Sequence, residues 1–222
     1  MGWWVEDAWN NSPVILISWV VWVLLSIVLH ELGHGVAAIR AGDRTPIETG
    51  HMTWNPVVHI PPMSLLAFAL FGFCWGLMPV NPHRFRGRYD EAIVAAAGPA
   101  VNAGLFVICI ACAVLWSAVG GFAGPNLHDN LFDFFRIGAA INCLGVLFNL
   151  IPVPPLDGHR ILGDFVPRFR RFWESEQGAM MGLFAFMAIF FFGAQYVWDA
   201  VFAVTHTVLD AALGLVGRQL TP

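Results

Sequence analysis

Four long uncharged runs, residues 12–29, 92–128, 137–156 and 177–198, alternate with short segments that carry nearly all the charge. A bilayer core of ~30 Å takes about 20 residues of helix, so each run can span or nearly span it. Ser12 and Pro13 read as an N-cap and first helical position, and a first membrane helix is expected over 13–41, ended by Arg40, Gly42, Asp43 and Arg44. Residues 45–62 mix Thr-Pro, Asn-Pro and Pro-Pro punctuation with short β-prone pieces, which predicts a loop or small β-hairpin. Residues 63–80 form a shorter apolar piece interrupted by Gly72 and Gly76, long enough to span or re-enter. A third helix is expected over 90–117 and a fourth from near Leu131 to Asn149, where Pro152, Pro154 and Pro155 unwind it. A fifth covers 178–198, and 200–216 is a weaker apolar tail. The fold expected is an all-α polytopic membrane bundle of about five to six transmembrane or re-entrant segments. It forms one domain over residues 1–222, with a core at 13–165 and C-terminal membrane segments at 177–216.

Composition agrees with this reading. Hydrophobic residues make up 58% of the 222 and charged ones 12%, well beyond the roughly 45–50% apolar content of a soluble domain. A net charge of -4 without a basic tract removes nucleic acid as a partner. The first eleven residues carry Glu6 and Asp7 and no basic residue, unlike a cleaved signal peptide. The chain has no lysine, so Arg marks the cytoplasmic side: Arg40 and Arg44, Arg84 to Arg88, and Arg160 to Arg171. All three clusters reach that side if 63–80 re-enters, which leaves the Asp129/Asp133 loop outside. The four cysteines lie in apolar stretches and read as buried hydrophobes. Trp3, Trp4, Trp9 and Trp173 fit interfacial belts.

The candidate chemistry begins at His30-Glu31-Leu32-Gly33-His34, at the end of the first helix. At 3.6 residues per turn the two histidines share a face one turn apart, where both can bind one metal. Glu31 lies about 100° around the helix, within reach of the water such a metal activates. An acidic side chain in a spanning helix costs about 2.5–3.5 kcal/mol on insertion scales, which favours a metal site over a solvated face. Catalytic zinc commonly takes three protein ligands and leaves a fourth position for water. Asp157, just past the prolines that break the fourth helix, is the natural third ligand.

Three elements carry a resemblance: Leu29-His-Glu-Leu-Gly-His34, Ala97-Gly-Pro-Ala-Val-Asn102, and Asn149 through Asp157-Gly158. In this order the chain resembles the site-2 proteases, and residues 50–61 and 79–82 resemble their short subgroup without extra domains. The resemblance implies a multi-pass enzyme of the cell membrane that cuts transmembrane segments of other proteins within the lipid bilayer. It implies one Zn2+ on His30, His34 and Asp157, with Glu31 as general base. It further implies Asn149 as a polar group near the metal that stabilises the oxyanion, and Asn102 as a support of the core. His159 stands where the family usually has glycine; it reads as an interfacial histidine, with an extra ligand or proton carrier as the alternative. His51 and His59 line the substrate entry or sit as hydrogen-bonded interfacial groups, and residues 45–62 could pair with an extended substrate. His83, His128 and His206 read as solvated. The rival reading is a membrane metal transporter or metal sensor, although its ligands would be strung along a path rather than gathered at one end. Whether the chain forms a homo-oligomer is left open.

Overall fold

The computed structural model describes residues 4–218 and is mainly helical, with no strand among the described residues. The elements are α1 (Trp4–Asn11), α2 (Pro13–Ala41), α3 (Thr45–Glu48), α4 (Pro56–His59), α5 (Pro62–Phe71), α6 (Asp90–Val119), α7 (Pro125–Asn149), α8 (Asp157–Phe165), α9 (Pro167–Trp173), α10 (Glu176–Ala188) and α11 (Ala194–Leu215). Trp3 lies outside the described residues.

Among the described residues four helices are long and apolar enough to cross a membrane: Pro13–Ala41, Asp90–Phe122, Pro125–Asn149 and Glu176–Leu215. α2 starts where expected, with Pro13 in its first turn after an extended Ser12. It ends on Gly42, whose φ of 106° lies in the left-handed region. α7 begins at Pro125, six residues before the expected start, because Pro125 nucleates the helix and the polar residues Asp129, Asp133 and Arg136 ride its first turns. The two expected C-terminal segments are one continuous helical run, α10 passing into α11 through a π-helical stretch, Ile189–Gly193. α2, α6 and α7 pack on one another, and α11 closes against α7 and α6. Trp22, Val23, Cys109, Ile110, Ala139 and Leu209 are buried between them, and Trp22 Nε1 donates to the Phe134 carbonyl at 2.8 Å.

The loop alternative holds for residues 45–62, and the hairpin does not form. Pro46 and Pro56 each open a single helical turn, α3 and α4, and Asn55 caps the second by accepting from Val57 N. The segment therefore offers no strand to a substrate. α5 is ten residues long, about 15 Å of helix and half a bilayer core. Beyond Gly72 the chain returns to Asn81 without regular secondary structure. Asp43, fully buried just past α2, ties both ends of this excursion together. Its Oδ1 accepts from the Thr45 amide and hydroxyl at 2.9 and 2.5 Å, and its Oδ2 accepts from the Asn81 amide at 2.6 Å. Residues 45–81 thus leave and return at one end of the bundle.

The Arg clusters share that end. Arg86 lies against Gly42, and Arg170 pairs with Glu91 at the start of α6 at 2.9 Å. Asp164 on α8 accepts from the Ala92 amide at 3.0 Å and so pins α8 to the same place. Asp129 and Asp133 lie in the first turns of α7, at the opposite end, where Asp133 pairs with Arg136 at 2.8 Å.

Candidate metal centre

His30 and His34 are buried one turn apart on α2, and their Nε2 atoms stand 3.0 Å apart. His34 lies seven residues before Ala41, roughly 10 Å of helix from the Arg-rich end. Each ring is turned by a bond from its other nitrogen. His34 Nδ1 meets the Val94 carbonyl at 2.7 Å. A carbonyl only accepts, so His34 carries its proton on Nδ1 and presents a lone pair on Nε2. His30 Nδ1 meets Asn102 Oδ1 at 2.6 Å. Both partners belong to α6, which comes this close because residue 98 is glycine: a Cβ there would stand 2.6 Å from His30 Nε2 and overlap His34 Nε2.

Asp157 completes the group. Helix α7 stops at Asn149, residues 150–156 turn back, and Asp157 opens α8. Its Oδ2 lies 3.2 Å from His30 Nε2 and 3.4 Å from His34 Nε2, yet this buried oxygen has no hydrogen-bond partner. Donors held 2.0–2.1 Å from a tetrahedral zinc sit about 3.3 Å from each other. The three separations, together with a buried carboxylate oxygen left without a proton donor, fit such an ion. No other group of three such side chains converges in this way among the described residues. Glu31, next to His30, is buried with its carboxylate against Gly76 of the returning segment.

The remaining predicted residues fall as follows. Asn149 ends α7, and its amide donates to the Gly145 carbonyl at 3.0 Å; no hydrogen bond joins it to Glu31 or the ligand cluster. Asn102 is buried against His30. His159 stands two residues beyond Asp157 on the same helix and turns away from the cluster. Its Nδ1 donates to the Leu156 carbonyl at 2.6 Å, and its ring lines a cavity of about 200 Å³ with Glu91, Arg160, Asp164 and Arg170. His59 is fully buried and bonds the Thr53 carbonyl at 2.7 Å, whereas His51 bonds within its own turn at Thr49. His83 and His206 are exposed, and His128 stacks on Trp116. Asn142, which the sequence did not single out, is fully buried behind Asn102. Its signal was available: it lies seven residues before Asn149, on the same face of α7.

The comparisons with known proteins agree with this geometry. Residues 118–193, the stretch that holds Asp157, match the family model "Peptidase family M50". The chain is 33% identical over 208 residues to "Putative zinc metalloprotease YwhC" of Bacillus subtilis, covering 91% of this chain and 94% of that protein. It is 30% identical over 165 residues to "Putative zinc metalloprotease Rip2" of Mycolicibacterium smegmatis, covering 67% of this chain and 56% of the relative. With the Rip2 protein of Mycobacterium tuberculosis H37Rv the identity is 29% over 211 residues, 89% of this chain and 77% of the relative. No solved structure matches at a significant level. The chain belongs to peptidase family M50, the site-2 protease family, and is a zinc metalloprotease.

Proposed function

We propose that this single-domain enzyme is an endopeptidase that cleaves transmembrane segments of other proteins inside the cell membrane. The observation that carries this reading is the depth of the ligand cluster: His30, His34 and Asp157 converge among helices long and apolar enough to span a bilayer. His30, His34 and Asp157 hold the ion. Zinc, when bound, supplies Lewis acidity and brings the pKa of water near ~7. Glu31 takes the proton of the attacking water and returns it to the leaving amine. Val94 and Asn102 hold the two imidazoles in place, and Gly98 keeps α6 close enough for them to do so.

Asn149 stabilises the developing oxyanion. One Nδ2 hydrogen is committed to the Gly145 carbonyl, and the other is free to donate. Asn149→Ala lowers turnover by about 10²–10³, the range for losing one such donor. Normal turnover per folded molecule would remove this role. A transmembrane substrate hides its carbonyls in helical hydrogen bonds, so it must unwind locally before attack. In the membrane the Arg-rich end faces the cytoplasm, and the chain passes the bilayer several times.

Reconstitution tests this reading. The purified protein and single-span candidate substrates are placed in vesicles, and the products are located by mass spectrometry. Cleavage within the apolar segment, stopped by a zinc chelator and restored by zinc, is expected. Cuts confined to soluble flanking regions would contradict it.

A further inference from the structure

The two imidazoles are oriented by unlike partners. His34 meets a backbone carbonyl, which cannot reverse its polarity. His30 meets a side-chain amide, and an amide can flip to present either its oxygen or its NH2. Whichever end faces His30 decides which ring nitrogen keeps the proton. An Asn102 oxygen facing Nδ1 leaves the Nε2 lone pair free, whereas an NH2 there would place the proton on Nε2, the atom that points at Asp157.

The orientation of Asn102 is set from the neighbouring helix. Asn142 Nδ2 donates to the Gly138 carbonyl one turn back on α7 at 2.8 Å. That carbonyl only accepts, so the NH2 of Asn142 must face it and its oxygen must face the other way. Asn142 Oδ1 then accepts from Asn102 Nδ2 at 2.9 Å, which leaves Asn102 Oδ1 toward His30. The reverse arrangement would press two acceptors together at the Gly138 end. Both asparagines are buried, and a buried amide without partners costs more than one that is paired. α7 is shaped for the chain of bonds: Gly138, Asn142 and Gly145 share a face, and a Cβ at position 145 would stand 2.8 Å from Asn102 Cγ.

We propose that Asn142 is a positioning residue for the metal centre, fixing through Asn102 the His30 tautomer whose Nε2 is free to bind zinc. It touches neither the ion nor substrate, and the proposal rests on the reading of His30 as a ligand. The relay gives one polarity to three groups on three helices, so it also ties α7 to the centre that α2 and α6 build.

Two substitutions test the relay, and a spectrum of the wild type separates it from packing. Asn142→Leu keeps the branching at Cγ, with more bulk, but removes the acceptor that Asn102 needs. Asn142→Asp, as the buried neutral acid, can donate to Gly138 and accept from Asn102 as the amide does. Zinc affinity of the purified proteins, measured by chelator competition, is expected to fall about 10–100-fold in the Leu variant and to stay within a few-fold of wild type in the Asp variant. Wild-type zinc affinity in the Leu variant, which offers Asn102 no acceptor, overturns the proposal. Nitrogen-15 spectra of histidine-labelled, metal-free wild type give a second reading that needs neither variant to fold. Protonation of His30 on Nδ1 supports the relay, and protonation on Nε2 ends it. Should His30→Ala retain zinc, the ligand reading fails, and the spectrum still decides whether the relay exists.

Discussion

Gly76 lies directly against Glu31: a Cβ at position 76 would stand 2.6 Å from Glu31 Cγ and would overlap the carboxylate oxygen Oε1. The general base of the proposed reaction is therefore covered by the backbone of the returning segment, and its position depends on a residue without a side chain. Ser64 fastens that stretch, its hydroxyl donating to the Trp75 carbonyl and accepting from the Trp75 amide, both at 2.7 Å.

Gly76→Ala should displace Glu31 while leaving the ligands untouched. Zinc content stays at the wild-type level and turnover falls, because a misplacement of about 1 Å can cost on the order of 10²-fold. Wild-type turnover in this variant would show that Glu31 tolerates displacement and is not a positioned base.

Asp157→Ala should lose zinc, because it removes the buried oxygen that meets both histidines. His159→Ala should keep it, because its ring faces the neighbouring cavity. Metal analysis of the two purified variants compares them directly. Loss of zinc in His159→Ala alone would exchange the assignments.

Asp43 should make the excursion from residue 45 to residue 81 sensitive to acid. Burial by itself raises its carboxyl pKa, but the amides of Asn81 and Thr45, the Thr45 hydroxyl and nearby Arg84 together hold it below the usual range. A carboxyl lowered in the folded state stabilises above its unfolded value, near ~3.9, and that contribution is lost as pH falls through the folded value. Asp43→Asn should thus be less stable than wild type at neutral pH, by about 1–3 kcal/mol for a buried donor left unpaired. The difference should shrink below about pH 4. Unfolding midpoints of both proteins in detergent at the two pH values check this, and a gap that does not change with pH would refute it.

The ligand cluster was legible because its signal is local. The spacing of His30 and His34 fixes a shared helix face, and the prolines before Asp157 mark where α7 must end. Long apolar runs located the helices long enough to span a membrane for the same reason. Less legible were features that depend on which of two local rules prevails. At 45–62 the β-prone residues suggested strands, but Pro46 and Pro56 opened helical turns. At 125–133 scattered charges suggested a loop, yet a proline at the helix start and solvent on one face let α7 begin there. Between 178 and 216 a helix over 178–198 and a separate weaker tail over 200–216 were expected, but Gln195 donates to Asp199 across that boundary at 2.9 Å and the helix continues. Asn142 and Gly76 matter only through contacts with distant residues, and single-residue reading takes the first for core and the second for a breaker.

The most direct test of the central claim is Glu31→Gln, assayed in parallel for zinc content and for cleavage of a transmembrane substrate in vesicles. The assignment of Glu31 as base and of His30, His34 and Asp157 as ligands predicts one zinc per chain, as in wild type, with cleavage abolished. Cleavage at the wild-type rate, or loss of the zinc with the glutamate, would contradict it.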